Sequence, residues 1–399
     1  MAGILEGIKV ISMGQVVALP AASTMLADWG ADVIKLEPLH GEIHRGLRRA
    51  QGTPTGEINQ IMQVLNRNKK GLALDLKKER GREIIHRMIK DIDVFMSNYE
   101  LSSLGQLGLD YDTLKAINPS LIYAAITGYG KVGPDKDQRG YDFAAGWARS
   151  GMMHQIGEPG NAPVPPRAGM IDSLAGSHLT AGVLAALLKR EKTGQGQELE
   201  VSLYHAGVWD LAMDIQGALA GNPMPKFDRT KAGNPIWNSY RAKDDTWFWL
   251  AMLQSDPSWP DVCRAIDRPE LEADPRFNSL DARMENNEEL IRMLDEIMAT
   301  RTGDEWEIAF RRENVIYGRV ASPEEVVNDP QAIENDFFAE VNHPLKKIRL
   351  VTTPVNFTQD PAVYGEPAPE IGQHNEELIL ELGYSWEDIA KLKEEGVIL

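Results

Sequence analysis

Residues 7–38 read GIKVISMGQVVALPAASTMLADWGADVIKLEP. GIKVISM (7–13) has the apolar, β-branched character of a strand, the stretch from Pro20 to Trp29 has helical spacing, and Gly30 ends it before a second strand, ADVIKLEP (31–38). This β-α-β pattern is the opening of a parallel α/β sheet. Further strands are expected at GLALDL (71–76), DVFMSN (93–98) and LIYAAIT (121–127), with a helix from Glu79 to Ile89 between the first two. A long helix is expected from about Ser173 to Lys192, closed by the turn TGQGQ, then a strand ELEVSL (198–203) and a helix running to Ala220.

The pattern lapses at 221–235, GNPMPKFDRTKAGNP, which reads as a linker. A second unit follows. IWNSYRAKDDTWFWLAML predicts a hairpin turning at Asp244 and Asp245, and helices are expected at Trp259–Ile266 and Asn286–Ala299. Seven of the nine tryptophans lie between Trp147 and Trp306, which suits packing more than chemistry.

With 399 residues the chain exceeds what one hydrophobic core usually holds, so two domains or one long α/β domain are expected. The composition, 43% hydrophobic and 25% charged, is that of a globular protein, and the longest apolar stretch, around Leu179 to Leu188, is too short to span a membrane. The first residues lack the basic region and cleavage site of a secretory signal, and the single cysteine, Cys263, excludes an internal disulfide and multi-cysteine metal sites. A cytoplasmic location is expected. A net charge of −17 argues against nucleic acid or an anionic membrane as partner. Two basic clusters stand out against it: Arg45, Arg48 and Arg49, and then Arg67, Lys69, Lys70, Lys77 and Lys78. They are either solvated loops or phosphate contacts.

Glu37 lies 23 residues after Gly14, near where the ribose-binding acid of a dinucleotide site would fall. The turn GQVVALP carries Gly14 alone, so the close backbone approach that GxGxxG permits is lost. No GxSxG, P-loop or HExxH is present, and the eight histidines lack metal-ligand spacing. Asp172, in RAGMIDSLAG, follows an irregular Pro/Gly segment and precedes the long helix. It is expected to be the N-cap. The same geometry suits a nucleophile, because helix amides and the dipole would keep the carboxylate ionised with a lowered pKa.

Laid end to end, ADWGADVIKLEP (27–38), NKKGLALDLK (68–77), SN (97–98), LGLDYDTL (107–114), NPSLIYAAITGYGKVGP (118–134), RGYDFAA (139–145), IDSLAG (171–176), KTGQGQELEVSLYHA (192–206) and APEIGQHNEELILELGYS (368–385) resemble the family III coenzyme A transferases, which include formyl-CoA, carnitine and 2-hydroxyacyl CoA-transferases. The resemblance covers nearly the whole chain. It implies an α/β fold: a Rossmann-like large domain over 1–220 completed by 325–399, the linker 221–235, a smaller α+β domain over 236–324, and an interlocked homodimer. It implies coenzyme A or acyl-CoA as substrate with no tightly bound cofactor, and a small carboxylic acid as the other partner. Asp172 would be the nucleophile, forming an aspartyl anhydride and then an aspartyl-CoA thioester. Leu74, Lys77, Asn98, Arg139 and Tyr141 match positions in contact with CoA.

Departures from the pattern narrow the reading. Positions that are cationic in many members are Pro38 and Gln106 here, the glutamine beside the reacting centre of formyl-CoA transferases is Val17, and their glycine-rich loop is missing, since 221–260 contains only Gly221 and Gly233. An oxalate or formate substrate is disfavoured against a 2-hydroxyacyl or related organic acid. Met152, Met153, Trp147 and Trp237 either line an acyl pocket or pack in a core. α-Methylacyl-CoA racemases share the fold but place a histidine where Tyr141 stands, and a phenol is a poor base at neutral pH; His154 is the nearest substitute. A non-catalytic CoA-binding dimer is the reading from another class, and retention of Asp172 speaks against it.

Overall fold

A computed structural model of the chain describes residues 3–46 and 56–399, with the backbone alone at 49–50 and 53–54. Arg48 and the side chain of Arg49 lie outside the described residues. The chain forms two compact units, one of residues up to 153 with 165–223 and 331–399, the other of 154–164 and 224–330.

The first unit is built on one parallel sheet of six strands: β1 (Lys9–Met13), β2 (Asp32–Glu37), β3 (Lys69–Ala73), β4 (Val94–Ser97), β5 (Ile122–Thr127) and β6 (Glu198–Ser202). Their order across the sheet is β3-β2-β1-β4-β5-β6. That is the doubly wound order, in which the winding reverses between β1 and β4 and leaves a crevice at their carboxyl ends. The register pairs Val10 with both Val33 and Val94, and Ile11 with both Ile34 and Phe95, so alternate residues feed opposite faces.

On one face Ile11, Ile34, Leu72 and Phe95 pack on Ile84, Ile85 and Ile89 of α2 (Glu79–Ile89). On the other, Val10, Val33, Val94 and Ile122 pack on α1 (Ala18–Asp28) and α3 (Met170–Thr193). β3 starts two residues earlier than its sequence suggests. Lys69 is buried there and donates to the carbonyls of Pro20 and Leu65 at 3.0 and 2.7 Å, which lets a charged residue begin a central layer. The edge of β3 is covered from far along the chain: the amide of Gly71 donates to His374 Nδ1 at 2.9 Å and that of Ala73 to Asn375 Oδ1 at 2.8 Å. After β6 come α4 (Leu203–Asp210) and α5 (Ala212–Leu219).

The second unit holds a three-stranded antiparallel sheet, β7 (Trp237–Arg241), β8 (Trp247–Ala251) and β9 (Tyr317–Arg319), in the order β9-β8-β7. The first two strands are the expected hairpin, with Asp245 at φ 66° in its turn. Helices α6 (Ser255–Ala265), α7 (Asn287–Met298) and α8 (Gly303–Arg312) close its core around Trp259, Phe248, Trp306 and Phe310. The chain returns to the first unit through the hairpin Phe338–Val351 and ends in α9 (Asn375–Glu381) and α10 (Trp386–Glu394), whose Leu378, Ile379, Ile389 and Leu392 join the core of α2.

Candidate active site

The crevice between β1 and β4 is where the loop Gly14–Val17 meets Asn98. The two are tied reciprocally: the Gln15 amide donates to Asn98 Oδ1 at 3.1 Å and Asn98 Nδ2 donates to the Gln15 carbonyl at 2.9 Å. Val16 follows at φ 68°, a left-handed conformation that a β-branched residue adopts only under constraint. The constraint is Glu42, whose Oε2 accepts the Val16 amide at 2.8 Å while its Oε1 pairs with Lys35 Nζ at 2.6 Å. Both charged side chains are buried.

Asp172 enters from the other side. α3 begins at Met170, so the N-cap position falls on Gly169, at φ 83°, and Asp172 is the third residue of the helix. The expected capping role belongs instead to Asp142, which opens a turn of π-helix over Asp142–Ala148. Its Oδ2 accepts the Gly169 amide at 2.7 Å and its Oδ1 the Ile171 amide at 3.1 Å. Among the described residues no donor is left for the carboxyl of Asp172, which is 7% exposed. The expected lowered pKa is therefore reversed: burial, and then the charge of Asp142, push the group up to about 7. Burial also raises Asp142, against the pull of the helix amides.

Close packing of α3 on α1 brings Asp172 to the crevice. A Cβ at Gly176 would lie 2.7 Å from the Ala18 carbonyl oxygen, so a residue without one is needed where the helices cross. The result is a cavity of ≈ 460 Å³ bordered by Gln15, Val17, Asn98, Lys136, Arg139, Tyr141 and Asp172, among others. Four of the six residues expected from the sequence, Asn98, Arg139, Tyr141 and Asp172, thus share one cavity. Leu74 and Lys77 line a second, of ≈ 810 Å³, with Pro38, His40 and Leu76. Gln15 and Tyr99 border both, so the two spaces adjoin. Arg139 is largely exposed and pairs with Glu100 at 3.0 Å.

The two basic clusters do not behave as one: most of their described members are tied to partners within the protein, while Lys77 lines the second cavity. Arg67 and Lys69 are interior: Arg67 clamps the buried Asp28 at 2.7 Å, and Lys69 caps helix carbonyls, its ammonium well below the usual range through burial. Lys70 pairs with Glu377 at 3.1 Å and Lys78 reaches the Gly396 carbonyl at 2.9 Å. Arg45 forms two bonds with Glu37, at 2.8 and 2.6 Å, which occupies the acid that resembled a ribose ligand. Burial pushes Glu37 up, but Arg45 and Lys35 hold it below the ordinary value. Trp147 and Met152 belong to the core behind α3, Met153 packs against it, and Trp237 stands edge-on to Trp249 in the second unit. None of the four lines either cavity.

Sequence reasoning missed Asp142, Glu42, Lys35 and Lys136. Asp142 lies 27 residues from Gly169, and a cap supplied across that distance leaves no local pattern. Glu42 and Lys35 carry no motif, and their burial as a pair follows only from the tertiary fold. The weak signal for Lys136 was its place in a polar loop three residues before Arg139.

The pattern of CoA-transferase family III matches residues 5–375. The chain is 35% identical over 400 residues to (R)-2-hydroxy-4-methylpentanoate CoA-transferase of Clostridioides difficile, covering 99% of each. It is 31% identical to formyl-CoA:oxalate CoA-transferase of Streptomyces coelicolor, again over 99% of each. The crystal structure of a CAIB/BAIF family protein from Brucella suis superposes with a TM-score of 0.84 at 27% identity, over 96% of this chain and all of that one. With an acidic side chain bared to a crevice at the switch point of its sheet, and likeness along its whole length, the chain belongs to CoA-transferase family III.

Proposed function

We propose that this enzyme moves CoA from an acyl-CoA donor to a free carboxylic acid of the 2-hydroxyacyl or a related class, with Asp172 as the nucleophile. The observation that carries the reading is a carboxyl group without a donor at the wall of a cavity. A carboxylate stripped of hydrogen bonds is a stronger nucleophile than a solvated one. Attack on the thioester carbonyl gives a mixed anhydride and CoA thiolate. The thiolate then attacks the aspartyl carbonyl, and the donor acid leaves as its carboxylate. An acceptor carboxylate reverses the sequence and takes the CoA away. Exclusion of water keeps the anhydride from hydrolysis.

Leu74 and Lys77 in the second cavity are assigned to the nucleotide end of CoA, and Asn98, Arg139 and Tyr141 to the arm leading to Asp172. Asn98 acts through the Gln15 loop, since its amide is bonded there. The apolar Val17, Ala18 and Leu203, which line the cavity together with Asp172, favour an acid with an apolar substituent. An interlocked homodimer is part of the proposal. Its support within this chain is α5, no residue of which is buried, and the exposed Trp209, Met213 and Leu219 along α4 and α5.

The test is to incubate enzyme with acyl-CoA and no acceptor. One CoA per chain should appear as a thioester, with the modified peptide containing Asp172, and hydroxylamine should inactivate only when acyl-CoA is present. Asp172→Asn should fold and load nothing. An Asn variant that retains transfer, with deamidation excluded by mass, would end the covalent mechanism.

A further inference from the structure

Asp142 has no part in the reaction as written above, yet it is a buried acid placed at the head of the helix that carries the nucleophile. It spends both carboxyl oxygens on the Gly169 and Ile171 amides, at 2.7 and 3.1 Å, and the amides of Met170 and Asp172 lie close enough to add to the same pull. The start of α3 would otherwise offer those amides to Asp172. Structural economy does not require an acid here, because a serine or asparagine caps a helix as well.

We propose that Asp142 is a positioning residue: by taking the amides at the head of α3 it leaves the Asp172 carboxyl facing the cavity without a donor and beside a second negative charge. The proposal rests on the nucleophilic reading of Asp172.

Its chemical consequence lies in the mixed anhydride. The CoA thiolate can attack either carbonyl. At the aspartyl carbon it forms the S–C bond of the enzyme thioester, breaks the C–O bond to the bridging oxygen, and expels the donor acid with that electron pair. At the acyl carbon it re-forms the starting acyl-CoA and expels Asp172. The weaker base leaves more readily, so raising the basicity of Asp172 above that of an ordinary carboxylic acid directs the thiolate to the aspartyl carbon. Asp142 supplies that bias.

The groups around Asp172 single out the same partner. The loop and helix start at Gln15–Ala18 bring no charge. The segment 98–103 brings Tyr99 and Glu100, the segment 136–141 brings Lys136, Asp137, Arg139 and Tyr141, and α3 itself brings His178, near Asp210. Of these and Asp142, the charge that acts on Asp172 is that of Asp142.

Two readouts test the proposal. The first is an infrared titration, without substrate, of the protonated carboxyl band that Asp172→Asn abolishes. The second is the pH profile of CoA loading in a single turnover. Asp142→Asn removes the charge and keeps one acceptor for the helix, so both the band midpoint and the acid limb of loading should move down by about 1 pH unit or more. Should that variant not fold, Asp142→Ser, a neutral cap, carries the same expectation. A wild-type midpoint in the ordinary carboxylate range, or variant profiles that superimpose on the wild type while only the melting temperature falls, would overturn the proposal and leave Asp142 a structural cap. Failure of the nucleophilic reading looks different: no thioester at Asp172 at any pH, with the infrared shift intact.

Discussion

Glu42 accepts the amide hydrogen of Val16 at 2.8 Å and so fixes a β-branched residue at φ 68° in the wall of the cavity. The carboxylate is held in turn by Lys35, and Asn98 holds the residue before, so the loop is tied at two successive positions. A strained loop that is over-determined in this way keeps its shape when substrate enters.

Val16→Gly should therefore not destabilise the protein as a buried valine deletion would. Relief of the left-handed strain, about 1–3 kcal/mol, outweighs the 0.5–1 kcal/mol that glycine adds in chain entropy, for a net gain of roughly 1 kcal/mol. Urea unfolding measures it, and a loss of stability would show that the side-chain contacts of Val16 outweigh the strain.

Asp172→Asn should change the pH dependence of stability. The folded state holds the proton of Asp172 up to about pH 7, whereas the unfolded chain releases it near 3.8, the ordinary value for an aspartate. A raised folded pKa makes the native state bind more protons between those values, so wild-type stability falls as pH rises through that window and levels off above it. Asparagine has no such loss. The stability of the variant relative to wild type should grow by roughly 2–4 kcal/mol from about pH 4 to pH 8, read from unfolding curves at each pH. Parallel curves would show that Asp172 titrates as an ordinary surface acid.

Gly176→Ala tests how the nucleophile is delivered. The new Cβ would meet the Ala18 carbonyl oxygen at 2.7 Å and Ala21 Cβ at 3.2 Å, so α1 and α3 must separate. Overpacking of this kind costs about 1–3 kcal/mol, and it shifts Asp172 relative to the loop at Val17. A lower melting temperature together with slower CoA loading is expected; unchanged loading would mean that the helix crossing does not set the position of Asp172.

Arg67 and Lys77, neighbours in one basic stretch, should behave oppositely. Arg67→Met leaves the buried charge of Asp28 with the Asn68 amide but no cation bonded to it, and should cost about 3–5 kcal/mol, with CoA affinity per folded molecule unchanged. Lys77→Ala should leave the melting temperature alone and weaken CoA binding several-fold, with a shallower salt dependence in calorimetry. If Lys77→Ala binds as the wild type does, the second cavity is not the nucleotide end of the site.

That pair also shows where sequence reading stops. The sheet was legible because strand and helix periods alternate with clear stops at Gly30 and Gly194, and each expected strand was found within a few residues. The charges of 66–78 were not, because burial of an ionic group depends on which helix lies over it: Asp28 reaches Arg67 only once α1 crosses the sheet. Asp172 was picked out by its place before a helix, but its protonation was misjudged for the same reason. The amides assumed to stabilise it are taken by Asp142, a residue that only the tertiary fold brings near. Leu74, Lys77 and Asn98 were expected from the family resemblance rather than from periodicity; Asn98 borders the cavity that holds Asp172, and Leu74 and Lys77 border the second one.

The cover on the edge of β3 bears on how the protein is made. Gly71 and Ala73 wait for partners 303 and 302 residues later in the chain, so during synthesis the strand leaves the ribosome long before His374 and Asn375 exist. For that interval the nascent chain presents an open, apolar sheet margin, the kind of surface that pairs with any neighbouring strand. Vectorial synthesis thus leaves this margin open to self-association on polysomes until the last segment of the chain emerges, a hazard separate from the stability of the finished fold.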